Sequence, residues 1–158
     1  MPQSAPVIAL GDLNDPRVLR LLDDHLADMY ATSPPESVHA LDVSGLQHPD
    51  VTFWALAEGE QLLGCVALKQ LDARHGELKS MRTDAAARGR GFGRLLLEHV
   101  VAEARARGYT RLSLETGAED FFRPARALYA RYGFLETEPF ADYALDPNSV
   151  FFTLELVS

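Results

Sequence analysis

The amino-acid sequence predicts an α/β fold, a mixed and mostly antiparallel sheet of six to seven strands with about four helices on its faces. Three observations lead there. Short apolar and β-branched runs recur between turn-forming Gly, Asn, Asp and Pro. Two segments, Leu19–Met29 and Leu96–Ala104, space their apolar residues three and four apart, the period of one helix face. The strands before and after the second of these helices are joined by a crossover, which makes them parallel. The 158 residues fit one domain, 1–158, with room for a sizeable core.

Val7–Leu10 reads as a first strand. Asn14-Asp15-Pro16 supplies a capping side chain and a first-turn proline, and Leu19, Leu22, Leu26 and Met29 follow on one helix face. Ser33-Pro34-Pro35-Glu36 breaks that helix and starts a shorter one over Ser37–Leu41. Val51–Glu58, Gln61–Gln70 and Glu77–Thr83 read as three antiparallel strands, joined at Gly59-Glu60 and Leu71–Gly76. The loop Asp84–Arg90 leads into a long helix that stops at Gly108. Arg111–Glu115 is a strand, and Ala125–Tyr132 a helix stopped by Gly133. Phe134–Glu138 and Val150–Leu156 close the order, β-α-α-β-β-β-α-β-α-β-β, around a loop Pro139–Ser149 that is long for a hairpin.

Charge narrows the function. The chain carries 15 Lys+Arg and 23 Asp+Glu, a net of −8, which argues against a general nucleic-acid binder. The charge is uneven: residues 1–81 net −7, residues 82–131 net +4 with Arg as every basic residue, and residues 132–158 net −5. An acidic protein with an Arg-rich middle can hold one anion locally, although charge counting alone favours solvated helix faces. Cys65 is the one cysteine, which excludes a disulfide framework and a cysteine-built zinc site. The five histidines show no metal-ligand spacing, so no metal is expected. No apolar run approaches the ~18–20 residues that span a membrane, and Met1–Leu10 lacks the marks of a signal peptide, so a cytoplasmic setting is expected.

The stretch that carries chemistry is Arg88-Gly89-Arg90-Gly91-Phe92-Gly93-Arg94, between a strand and a helix. Glycines let backbone N–H groups approach an anion, and the helix aims its positive end at the same point. Arg88, Arg90 and Arg94 add charge, so the chemistry is that of phosphate or pyrophosphate. A P-loop needs a Lys after its last glycine, and none follows; a dinucleotide fingerprint needs a glycine where Arg94 or Leu96 stands.

With Arg88, Gly91 and Gly93 in an Arg-x-x-Gly-x-Gly pattern, and Leu128-Tyr129-Ala130-Arg131-Tyr132-Gly133-Phe134 downstream, the sequence resembles the GNAT superfamily of acyl-CoA-dependent N-acyltransferases. Local phrases such as Pro35-Glu36-Ser37-Val38-His39, Glu77-Leu78-Lys79-Ser80-Met81-Arg82 and Asp146-Pro147-Asn148-Ser149-Val150-Phe151 resemble one subgroup of small bacterial acetyltransferases. The resemblance covers about Val51–Leu156 and implies the GNAT fold, with a sheet splayed at its centre. It implies acetyl-CoA as co-substrate, its pyrophosphate on Arg88–Arg94 and its pantetheine arm along Met81, Arg82 and Thr83. It implies direct attack by an amine, Tyr129 as proton donor to the leaving sulfur, and a backbone N–H near Met81 for the oxyanion. Glu77 is the first candidate base and Glu115 its competitor, with a water chain as a third route. The period of a strand puts Glu77, Lys79 and Met81 on one face and Leu78, Ser80 and Arg82 on the other. Phe122 stands where many family members carry Asn.

The acceptor side is read from charge. Lys79 and Arg82 could hold a carboxylate, or pair with Glu77 or Glu115. Tyr143 and the acids of its loop could border the amine pocket and attract a cationic amine, and Glu115 or Thr116 could supply the polar contact to pantetheine or substrate that Phe122 lacks. His39 could line the site, although a surface histidine is the simpler reading. The expectation is therefore a small, amino-acid-like primary amine, with no nucleic acid and no membrane. Family precedent admits a homodimer. Peptide or protein N-acetylation and a non-catalytic CoA sensor are the rival readings, against the second of which Tyr129 and Glu77 argue.

Overall fold

The computed structural model describes residues 5–38 and 43–156. Seven strands form one sheet: β1 (Val7–Leu10), β2 (Val51–Glu58), β3 (Gln61–Gln70), β4 (His75–Thr83), β5 (Arg111–Gly117), β6 (Leu135–Thr137) and β7 (Ser149–Glu155). They lie in the order β1-β2-β3-β4-β5-β7-β6. Four helices accompany them: α1 (Pro16–Thr32), α2 (Val43–Leu46), α3 (Phe92–Ala106) and α4 (Arg123–Tyr132). Every sheet neighbour is antiparallel except β4 and β5, which the α3 crossover makes parallel.

Local chemistry sets the helix ends. The Asp15 carboxylate accepts the Arg17 N–H at 2.8 Å, and Pro16 opens α1 where no intrahelical donor is needed. Gly108 and Gly133 adopt left-handed φ of 83° and 119° after α3 and α4. There the Tyr109 and Phe134 N–H groups reach back five residues to the Ala104 and Tyr129 carbonyls, capping orphan acceptors. Each aromatic is thereby turned into the core, where both are buried.

Two cores sandwich the sheet. Phe92, Leu96, Leu97, Val100, Val101 and Ala104 of α3 pack on Leu56, Leu63, Val66, Leu68 and Leu78. Val18, Leu21 and Leu22 of α1 pack on Phe53, Cys65 and Ala67 across the other face. Strand β3 is buried from Leu63 to Leu68 because it is covered on both sides, which explains its nearly continuous apolar run. Gly64 lets β3, β4 and α3 close: a Cβ there would stand 2.6 Å from the Arg82 carbonyl and 3.0 Å from a Leu96 methyl. Gly64→Ala is therefore expected to cost about 1–3 kcal/mol in urea unfolding, with an unchanged m-value.

Three expectations need correction. The short helix over Ser37–Leu41 does not start at Ser37. A single 3₁₀ turn, Pro35–Ser37, ends in extended Val38, residues 39–42 lie outside the described residues, and the next helix is α2. Strand β4 starts earlier than Glu77, because Asp72 accepts the Arg74 N–H in a tight turn that frees His75 to pair with Arg111. The alternation along β4 also fails past Lys79. Cys65 pairs with Arg82 and Ala67 with Lys79, so β4 carries one extra residue, and Ser80 takes φ 54°. A bulge of this kind reverses the faces beyond it. Arg82, rather than Met81, shares the face of Glu77 and Lys79, and Met81 packs against the α3 core.

Candidate active site

The site starts where two strands part. Strands β4 and β5 pair only over His75–Glu77 and Arg111–Ser113. Beyond that, β4 stays on β3 through Thr83 and β5 stays on β7 through Gly117. The backbone edges of Leu78–Thr83 and Leu114–Gly117 therefore face a gap without register partners among the described residues. The bulge at Ser80 bends β4 away at this point.

The glycine-rich loop lies at the C-terminal end of β4. Asp84 caps a 3₁₀ turn, Ala85–Ala87, by accepting the Ala86 N–H at 3.1 Å. The chain then turns through Gly89 and Gly91, at φ of 82° and 84°, into α3. A Cβ at either glycine would meet nothing within 4 Å, so open space lies over both. No side chain caps the first turn of α3, whose N–H groups are left for an anion. Arg88, Arg90 and Arg94 surround it with side chains 48%, 50% and 59% exposed. Among the described residues their acidic partners are Asp28 at 3.9 Å, Glu58 at 4.0 Å and Glu98 at 2.9 Å, contacts that an incoming phosphate can replace. Arg90 and Arg94 also lie over the rings of Phe92 and Tyr132. These residues fit a pyrophosphate.

A small cavity opens at the splay and collects most of the expected reactive residues. Glu77, Lys79, Ser80 and Met81 line it from β4, Glu115 and Thr116 from β5, Tyr129 from α4 and Tyr143 from the loop after β6. Glu77 is 2% exposed. One of its oxygens, Oε2, accepts the Lys79 ammonium at 3.2 Å and the Tyr143 hydroxyl at 2.5 Å, and Lys79 also reaches the Tyr143 oxygen at 2.8 Å. Of the pairings open to Lys79, the structure makes the one with Glu77. Burial and the neighbouring Glu77 carboxylate push the Tyr143 phenol up, so it stays protonated and donates.

Glu115 is held differently. Burial pushes its carboxyl up to about 7, opposed by the Ser149 hydroxyl, which donates to Oε2 at 2.8 Å, and by the charge of Lys79. The charges of Glu77 and Asp146 add to the rise. Tyr129 is 5% exposed and packed against Phe134 and Phe152. Burial, with Glu115 in second place, pushes its phenol up, so at neutral pH it carries a proton to give.

Some residues fall elsewhere. The Arg82 side chain leaves the cavity for α1, where it meets Asp28 at 2.8 Å, so it is not placed to hold an acceptor carboxylate. His39 lies outside the described residues. Phe122 fills the space over Gly117, where a Cβ would stand 2.1 Å from its ring, so an apolar contact occupies that corner. His25, on the α1 wall of the cavity, was not singled out from sequence. Burial and then the charge of Arg82 push its imidazole down to about 4, so it is neutral there. Its spacing of four from Leu21 and from Met29 was the available signal. Ser80 and Ser149 left none, because a bulge and a cross-strand neighbour are invisible before pairing is known. Among the described residues no group of three His, Cys, Asp or Glu is arranged to hold a metal ion, and no helix is long and apolar enough to cross a membrane.

Known proteins resemble the whole arrangement. The model of the acetyltransferase (GNAT) family matches residues 18–134. A Bacillus subtilis (strain 168) protein named uncharacterized N-acetyltransferase YsnE is 52% identical over 149 residues, covering 94% of this chain and 99% of the relative. A solved Klebsiella pneumoniae structure, described as an acyl-CoA N-acyltransferase, superposes with a TM-score of 0.81 at 30% identity, covering 96% of this chain and 98% of that one. An Elizabethkingia anophelis GNAT acetyltransferase solved with acetyl-CoA bound shares the fold, with a TM-score of 0.65 at 21% identity over 96% of this chain and 98% of that one. The chain belongs to the GNAT family of acetyltransferases and is an acetyltransferase enzyme.

Proposed function

We propose that this domain, residues 1–158, moves an acetyl group from acetyl-CoA to the primary amine of a small amino-acid-like substrate in the cytoplasm, by direct attack within a ternary complex. The reading is carried by one observation. Glu115, whose carboxyl burial pushes up to about 7, and Tyr129, whose phenol stays protonated, line the same cavity, one able to accept a proton and the other to give one.

Acetyl-CoA supplies an activated acyl carbon and a thiolate leaving group. The glycine-rich loop and the N-terminus of α3 hold its pyrophosphate, helped by Arg88, Arg90 and Arg94. The unpaired edge at Met81, Arg82 and Thr83 receives the pantetheine arm as an added strand. Glu115 takes a proton from the acceptor ammonium, and Tyr129 gives one to the departing sulfur. Glu77 stands second as base, because Lys79 and Tyr143 already occupy its Oε2. Those contacts make Glu77 the anchor that fixes the Lys79 ammonium in the cavity.

Lys79 is the cation available to an acceptor carboxylate, which would share the ammonium now turned to Glu77. A thiol-release assay over matched amines, with and without a carboxylate, tests this. The expected result is preference for the carboxylate-bearing member of each pair, and a KM raised at least about 10-fold for that member alone in Lys79→Ala, the size of one lost charged hydrogen bond. Equal KM changes for both members would remove the carboxylate contact. A preference for peptide N-termini over free amines would replace the small acceptor with a peptide.

A further inference from the structure

We propose that Ser80 is a catalytic hydrogen-bond donor to the acetyl carbonyl oxygen, acting beside the Met81 N–H. The inference rests on the function proposed above and adds a residue to it. Ser80 lines the cavity, is 8% exposed, and its Oγ has no hydrogen-bond partner among the described residues. A buried hydroxyl left unpaired costs stability, and a native fold keeps one where it serves something else. The same residue holds φ 54°, a left-handed conformation that serine enters at a cost and that its bulge imposes.

Neighbouring polar groups are committed by contrast. Glu77, Lys79 and Tyr143 bond one another, and Glu115 takes the Ser149 hydroxyl. The Ser80 carbonyl is itself fixed, since the Cys65 thiol donates to it at 3.3 Å. That contact and the bulge hold the Ser80 backbone in place, while Oγ stays buried at the cavity wall with its proton uncommitted. Ser80 Oγ and the Met81 N–H are adjacent along the chain, so two donors sit at the point where β4 turns from β5.

The carbonyl oxygen is the group that needs donors. As the amine nitrogen bonds to the acyl carbon, the C=O electron pair moves onto oxygen, and Ser80 O–H and Met81 N–H hold that charge. The pair returns as the C–S bond breaks and the sulfur takes its proton from Tyr129; of the two protons the ammonium nitrogen gives up, Glu115 takes the first before attack and passes it to solvent, and the second, lost from the tetrahedral intermediate, restores the Tyr129 phenol. Ser80 ends each cycle with the proton it began with.

Ser80→Ala separates this role from a structural one. With acetyl-CoA labelled at the carbonyl carbon, the infrared carbonyl band of the wild-type complex should lie below that of free acetyl-CoA, and the variant should move it back up. The variant should also lose about 10²-fold in kcat, keep KM for acetyl-CoA within about threefold, and melt no lower than wild type without ligand. Ser80→Cys, which keeps the shape but donates weakly, should shift the band the same way by less. Tyr129→Phe should leave the band at its wild-type position. A band unmoved in Ser80→Ala, or a kcat within twofold of wild type, overturns the role of Ser80 and leaves the proposed function standing. Wild-type protein that neither binds acetyl-CoA nor releases thiol with any amine overturns the function, and this role with it.

Discussion

Tyr129→Phe is expected to lower kcat by about 10²–10³-fold, while the affinity for acetyl-CoA changes little. The ring is packed against Phe134 and Phe152 on the end of α4, and Phe keeps those contacts. Only the hydroxyl is lost, and burial has already ensured that this hydroxyl is protonated. Without it the sulfur must leave as a bare thiolate in a cavity that holds two carboxylates. Steady-state kinetics with a thiol reagent separates the outcomes. A wild-type kcat would remove the acid role, and a raised KM with unchanged kcat would make Tyr129 a binding residue.

Glu115→Gln is expected to abolish the acid limb of the pH–rate profile. A base must be ionised to act, so wild-type kcat/KM should rise with pH through about 7, the value to which burial pushes this carboxyl. The Gln variant should be slow and flat across that range. Ser149→Ala removes the hydroxyl that lowers the Glu115 pKa, so its midpoint should move to higher pH. A wild-type limb retained in Glu115→Gln would return the base role to Glu77 or to water. Stability gives an independent reading. The folded value is raised above the ordinary 4.5, so the stability that goes with the protonated form is complete below about 4.5 and lost as pH rises through about 7. Glu115→Gln should therefore melt higher than wild type at pH 8 and close to it near pH 4.5.

Much of this was legible because it is local. The caps at Asp15 and Gly133, the apolar spacing of α3 and the glycines before it act within a few residues, and the structure places each near its expected position. The candidate site was legible for a different reason: Tyr129 and the Arg-Gly loop sit inside a recognisable pattern, and the structure sets the first in the cavity and the second at the start of α3. Properties set by pairing were not. The bulge at Ser80 depends on what β3 offers opposite it, and it moved Arg82 from the expected face to the Asp28 side. The sequence ranks Glu77 before Glu115 by its place on the strand and says nothing of which carboxylate is already engaged. That depends on Tyr143 and Ser149, residues 66 and 34 positions away in sequence.

The brief pairing of β4 with β5 carries a consequence for how the molecule holds together. Three residue pairs join β1-β2-β3-β4 to β5-β7-β6, and one apolar core that includes Leu68 and Leu78 of the first half and Leu112, Leu114 and Phe152 of the second supports the junction. A ligand lying along the open edge acts as a removable rung, so its binding energy adds directly to cohesion. Melting should then climb with the logarithm of cofactor concentration. Amide hydrogens along the far half of β4 and β5 should exchange quickly in the free protein and slowly once the rung is in place. The enzyme is in this sense finished by what it consumes.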